Sequence, residues 1–317
     1  MRKNNPTSSL ANFGFGEVDA AVLLNALMEN VADSIYFKDR ERRLVWVSNK
    51  LVQDLGLDDA SAIIGKTDEE LFGDDFGQKT MVDDMGVMES GKPIVGLVES
   101  RQTPDGKTNW TSTSKLPIHN RKGEVIGLLG ITREINELKQ VEQDLQYLAT
   151  HDLLTSLANR FLLIDSIEQA IRRAKRNKTN FALLYVDLDG FKAINDHYGH
   201  EVGDKVLKSI ATRMTENARE TDRIARLGGD EFAILVEDIA NADEAKETAE
   251  RLRAAITKRF DFLPAKQKIT ASVGICLYPG DGKSAATLLS SADHAMYAAK
   301  KIKDSTVLFK NPKRAKN

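Results

Sequence analysis

Residues 226–235 read RLGGDEFAIL, and their pattern decides the fold of the second half of the chain. Apolar arms flank two glycines, which is the pattern of a tight hairpin whose turn needs positive-φ backbone. Neither the turn nor its strands need Asp230 and Glu231 side by side, where they repel each other. The two acids are either a solvated turn tip or the holders of something strongly positive. Without side chains, Gly228 and Gly229 also let a bulky ligand lie against the backbone.

Upstream, FALLYVDLDGFKAIND (181–196) is a continuous apolar run that ends in Asp187, with Asp189 two residues on. Residues i and i+2 of a strand share a face. Irregular backbone follows at Gly190, where carbonyls are free to coordinate. Carboxylates at the end of a buried strand are costly unless paired or metal-bound; a solvated strand end is the plainer alternative. Two carboxylate pairs at two strand tips can converge on hard divalent ions. Magnesium takes oxygen ligands and sits between one or two carboxylates and substrate phosphates. The expectation is that the acids hold magnesium, or manganese in its place, while the glycines leave room for a nucleotide.

Around these segments, helical patterns (160–176, 202–218, 242–259, 284–301) alternate with buried strands (181–187, 223–227, 232–236, 269–278). That is an α/β domain from residue 151 to 311. The first half reads differently. After a helical stretch at 18–31 come short strand-like runs at 34–39, 43–49, 93–102, 108–118 and 125–135, with short helical pieces between 50 and 92. Turn signals at Pro104-Asp105-Gly106 and Asn120-Arg121-Lys122-Gly123 separate several of them. This predicts a small antiparallel sheet with helices inserted after its second strand, an α+β module over 19–136. Between the modules, Leu138, Val141, Leu145 and Leu148 fall at steps of three and four over 137–150. Two readings stand for this linker: a single helix packed on its own domain, or a short parallel coiled coil joining two protomers.

The totals set bounds. The chain has 317 residues, enough for about two domains of ordinary size. It is 41% hydrophobic and 29% charged, so globular cores rather than disorder are expected. A net charge of -2 argues against a general nucleic-acid binder. The single cysteine, Cys276, allows no disulfide within the chain. No apolar run approaches the roughly 18 residues of a membrane helix, and the N-terminus does not read as a secretory signal. A soluble, cytoplasmic protein is expected, with a flexible N-terminus (1–18) and a solvated tail (312–317).

Five segments resemble the GGDEF family, the diguanylate cyclases: HDLLTSLANR (151–160), YVDLDGFKAINDHYGHEVGDKVL (185–207), GGDEF (228–232), ASVGICLYPGDG (271–282) and ADHAMYAAK (292–300). The resemblance implies condensation of two GTP into cyclic di-GMP and two pyrophosphates by a homodimer, on a fold like the nucleotide-cyclase and polymerase palm. It implies Asp187, Asp230 and the Leu188 carbonyl as metal ligands, with Asp230 also taking a proton and Glu231 close by. Asn195, His200 and Asp204 match its substrate positions, the last suited to guanine, and Gly229 lies beside the nucleotide. Lys192 and Lys300 match phosphate-facing positions. Arg219 and Asp222 have the spacing of its inhibitory product site. Two departures stand out: Asp304 where the family has arginine, and Ser156 where glycine is usual.

VADSIYFKDRERRLVWVSNK (31–50), IIGKTDEELF (63–72) and LLGITREINELKQVE (128–142) resemble a PAS sensor domain. That implies regulation of the cyclase, with the ligand of the sensor left open. Neither haem nor a photoreactive flavin is expected: Cys276 lies in the other domain and the sensor's only histidine, His119, falls in a late strand. Tyr36, Phe37, Trp46 and Trp110 are candidates to line a pocket or simply to form core. The rival reading is a non-catalytic receptor that binds cyclic di-GMP through Arg219 and Asp222.

Overall fold

The computed structural model describes residues 19–102, 106–264 and 266–309. The segments expected to be a flexible N-terminus and a solvated tail, and Pro104 and Asp105 of one expected turn, lie outside the described residues. The chain divides into two compact units between Glu142 and Gln143.

The first unit opens with α1 (Ala20–Asn30), whose first turn is capped by the Asp19 carboxylate. Five strands follow: β1 (Ser34–Asp39), β2 (Leu44–Val47), β3 (Ile94–Gln102), β4 (Thr108–His119) and β5 (Val125–Glu134). They form an antiparallel sheet in the order β2-β1-β5-β4-β3. As the spacing predicts, the helices sit between β2 and β3: α2 (Asn49–Asp54), α3 (Asp68–Phe72) and α4 (Asp74–Ser90). A capping box of Thr67 and Glu70 starts α3, and Gly91 in a left-handed conformation stops α4. At 17 residues, α4 is longer than the short pieces its weak periodicity predicts. Leu44, Val47, Val52 and Ile63 form the local core.

Charge is buried inside this unit. The ammonium groups of Lys38 and Lys115 each lie 2.7 Å from Asp84, one on each carboxylate oxygen, and Lys38 also reaches Asp68 at 2.6 Å. Beside them is a cavity of about 570 Å³ lined by Tyr36, Glu99, Arg101, Thr113, Lys115 and Thr132 among others. Of the four aromatic candidates, Tyr36 alone is among its lining residues. Phe37 and Trp46 instead stack on each other at 5.6 Å, and the Trp110 ring lies under Lys139. His119 is the exposed last residue of β4.

Helix α5 (Asn136–Thr150) buries none of its residues. Leu138, Val141, Leu145 and Leu148 are 47–64% exposed, so the apolar seam lies open.

The second unit alternates helices with strands: α6 (Arg160–Asn177), β6 (Asn180–Asp189), α7 (Phe191–Tyr198), α8 (His200–Glu216), β7 (Arg223–Gly228), β8 (Glu231–Ile239), α9 (Ala242–Ile256), β9 (Thr270–Tyr278), α10 (Ala285–Ile302) and β10 (Thr306–Leu308). The sheet order is β10-β9-β6-β8-β7. Central β6 is apolar from Phe181 to Val186 because both of its faces are covered. Its residues Ala182, Leu184, Val186 and Leu188 pack with residues of α7, α8 and α9, and Phe181, Leu183 and Tyr185 with α6 and α10. Two elements were not legible. A break at Gly199, φ 81°, separates α7 from α8, and β10 is too short for periodicity to reveal. Among the described residues no helix is long and apolar enough to cross a membrane.

Candidate functional site

The end of β6 and the β7–β8 turn meet at one end of the second sheet's strands. Asp187 sits directly opposite Glu231 on one side and Ser272 on the other. The pairing of Gly228 with Glu231 leaves Gly229 and Asp230 as the turn. Both glycines have positive φ, 146° and 52°, and a Cβ on either would meet nothing within 4 Å. The surface over the turn is therefore open, as the sequence reading requires.

The backbone of the turn is held firmly. The Leu188 N–H donates to the Asp230 carbonyl at 3.2 Å. Arg226 donates from Nε and Nη2 to the Gly229 carbonyl at 3.0 and 2.8 Å, and from Nη1 to both oxygens of Asp152 at 3.1 Å. One guanidinium thus ties the HDLLTSLANR segment to the glycine turn. The Asp230 side chain makes no hydrogen bond or ion pair among the described residues.

The four acids have different partners in this structure. Asp189 is saturated by the hydroxyls of Thr270 and Ser272 and by the Asp304 N–H. Glu231 accepts from the Tyr185 hydroxyl at 3.0 Å. Asp187 and Asp230 remain. Asp187 is 3% exposed. Its Oδ2 takes Lys300 Nζ at 2.7 Å, while Oδ1 is buried with no hydrogen-bond partner. Burial pushes the Asp187 carboxyl above its ordinary value, Lys300 opposes this, and the charge of Asp230 reinforces it.

An orphaned carboxylate oxygen beside a second free carboxylate suits a hard divalent cation, which takes oxygen ligands. Among the described residues no three His, Cys, Asp or Glu side chains gather at one point. The corner thus offers two carboxylates and backbone carbonyls, a donor set suited to magnesium shared with substrate phosphates.

The other expected positions lie on α7, α8 and α10, and of these Lys300 contacts the corner. Asn195 packs its side chain so tightly against α8 that a Cβ on Gly203 would lie 1.9 Å from its Oδ1. Asp204 follows Gly203 as the fifth residue of α8, one turn after His200, and both are exposed and unpartnered among the described residues. Lys192 is exposed on the first turn of α7. Lys300, expected to face phosphate, pairs with Asp187 here. Asp304 has its carboxylate on Arg253 of α9, so the acid in the arginine's place has its own counter-ion. Ser156 adopts φ 59°, the left-handed backbone that explains glycine as the usual residue.

The RxxD segment precedes β7. The Arg219 N–H donates to Asp222 Oδ2 at 2.9 Å, and its guanidinium pairs with Glu244 of α9 at 2.9 Å. Asp222 Oδ1 is buried and unpartnered, and burial raises the carboxyl above its ordinary value. Residues that sequence reasoning passed over are Tyr185, Gly203, Arg226 and Asp152. A phenol within an aliphatic strand was the one local signal among them.

Fold and corner together define a PAS-like sheet joined to an α/β unit of nucleotide-cyclase type. Comparison with known proteins agrees. The family described as diguanylate cyclase, GGDEF domain, matches residues 149–306, and the PAS fold matches 28–140. A diguanylate cyclase of Vibrio cholerae is 30% identical over 269 residues, covering 84% of this chain and 83% of that protein. The bifunctional diguanylate cyclase/cyclic di-GMP phosphodiesterase MucR of Pseudomonas aeruginosa is 49% identical over 163 residues, 51% of this chain and 24% of that protein. Diguanylate cyclase DgcP of the same organism is 33% identical over 295 residues, 88% of this chain, which spans 43% of that protein. Among solved structures, the coiled coil and GGDEF domain of DgcB from Caulobacter crescentus in complex with c-di-GMP is 30% identical. It covers 55% of this chain and 93% of that one, with a TM-score of 0.50. This chain belongs to the GGDEF family of diguanylate cyclases.

Proposed function

We propose that the chain condenses two GTP molecules into cyclic di-GMP with release of two pyrophosphates. The observation that carries this reading is Asp187 Oδ1, buried and unpartnered opposite Glu231 and near Asp230. Asp187, Asp230 and the Leu188 carbonyl would hold magnesium. A bound ion there would supply positive charge against the attacking and leaving oxygens. The chain's own residues do the rest. The 3′-hydroxyl of one GTP attacks the α-phosphorus of the other, the bond to the bridging oxygen breaks, and pyrophosphate leaves. Asp230, free of partners, takes the hydroxyl proton. A second transfer in the opposite direction closes the ring. Asn195, His200 and Asp204 select guanine, whose N1–H and exocyclic amine suit an exposed carboxylate. Lys192 and Lys300 offer ammonium groups to the triphosphate.

Two GTP-loaded copies must face each other, and the open seam of α5 supports a homodimer. The orphaned oxygen of Asp222 beside Arg219 supports product binding at that segment. The cavity of the first unit supports a sensor role with a small-molecule ligand. A second reading, a receptor without turnover, is favoured by one observation: Asp304 binds Arg253 where the family offers an arginine to phosphate.

The test is purified protein with GTP and magnesium, products resolved by chromatography, beside Asp230→Ala. Cyclic di-GMP from the parent and none from the variant is the expected result. No product, with cyclic di-GMP binding that depends on Arg219, favours the receptor.

A further inference from the structure

A phenol in the middle of a buried strand needs a partner for its hydroxyl. Tyr185 is the fifth residue of FALLYVDLD, 6% exposed, with aliphatic neighbours in sequence. Its partner is Glu231, whose Oε2 lies 3.0 Å from the hydroxyl. The register explains the reach. Tyr185 shares a face with Asp187, two residues on, and Asp187 is directly opposite Glu231. Across from Tyr185 is Ala233, whose small side chain leaves room for the ring to lean diagonally to Glu231. On its other side the ring lines a cavity of about 460 Å³ between α6 and the start of α10, so the Glu231 bond is not forced by tight packing alone.

Two carboxylates directly opposite each other on one face repel. Here each has its own partner. Lys300 takes Asp187 at 2.7 Å and Tyr185 takes Glu231 at 3.0 Å. We propose that Tyr185 is a positioning residue, which pins the Glu231 carboxylate away from Asp187 and so keeps the acidic corner open for reaction. The inference rests on the cyclase reading for its kinetic consequence, but not for the tether itself. A charge-assisted hydrogen bond of this kind holds a flexible side chain in one rotamer. Without it, Glu231 is free to swing toward Lys300 and compete with Asp187 for the ammonium.

The experiment uses Tyr185→Phe in the full chain, which keeps the ring and removes only the hydroxyl. A crystal structure of the variant reads the tether directly. The expected result is a Glu231 side chain displaced or spread over several rotamers, with the strands unmoved. Kinetically, kcat falls about tenfold, the scale of one hydrogen bond to a charged group, while KM for GTP stays within about twofold. In a Glu231→Gln background the same change costs no further kcat, because the coupled pair is already broken. Glu231 in its single parental position, or an undiminished effect in the Glu231→Gln background, would overturn the proposal. If the parent itself makes no product, the cyclase reading fails while the crystallographic arm still decides the tether.

Discussion

Both units set a lysine against a buried aspartate, and the two arrangements mean different things. In the first unit, Asp84 is 1% exposed and shares its oxygens between Lys38 and Lys115, with Asp68 and the Thr80 carbonyl also in the network. Each oxygen of Asp84 has an ammonium at 2.7 Å, although Oδ1 makes no hydrogen bond, and Asp83 lies a further 3.6 Å from Lys115. In the cyclase unit, Lys300 occupies only one oxygen of Asp187, and the other has neither a hydrogen bond nor an ammonium. Removing one partner from a buried ion pair is costly because the other charge stays buried and uncompensated. A buried carboxylate oxygen with no cation on it is open to one.

Substitution separates the two. Asp84→Ala leaves buried Lys115 with only Asp83 at 3.6 Å and Lys38 with Asp68 alone, and the first unit is expected to lose about 3–5 kcal/mol in denaturant unfolding. Asp187→Asn should leave unfolding nearly unchanged while cyclic di-GMP formation falls by about a hundredfold to a thousandfold. Equal losses of stability at both positions would erase the distinction. A smaller effect comes from Gly203→Ala, which drives a methyl into Asn195 Oδ1. Helix propensity favours alanine, so the fold should hold while KM for GTP rises about tenfold at nearly constant kcat. An unchanged KM would remove Asn195 from the nucleotide site.

The smallest effect is on pH. Burial would raise the Asp152 carboxyl, but hydrogen bonds from Thr155 and Arg226 outweigh it and hold the group below its ordinary value. A depressed carboxyl contributes stability above its unfolded value near 4 and loses it as pH falls through the lower folded value. Asp152→Asn should therefore cost about 1 kcal/mol at pH 7 and progressively less below pH 4. A cost that stays constant down to pH 2 would show that the ion pair with Arg226 is not its source.

The strands and their order of appearance were legible because alternation and continuous apolar runs are local signals. GGDEF and the Asp187 segment were legible for the same reason, since their chemistry lies within a few adjacent residues. What stayed hidden depends on distance along the chain. Arg226 meets Asp152 across 74 residues and Lys300 meets Asp187 across 113. No spacing rule spans such gaps. The aromatic residues were left open between pocket and core for a related reason: Phe37 and Trp46 stack across β1 and β2, a cross-strand pairing that composition cannot announce. Asp189 looked like a ligand beside Asp187, yet the hydroxyls that saturate it come from β9, 81 and 83 residues further on.

The pairing of Asp304 with Arg253 constrains how this chain could be rewritten. Asp304 sits where its family offers an arginine, and the obvious repair is Asp304→Arg. Made alone, that change would set two guanidinium groups against each other at the base of α10. Glu250, which also holds Arg253 at 2.6 Å, would then have two guanidinium groups to answer. Position 304 is therefore tied to positions 250 and 253, and a change at one is felt at the other two.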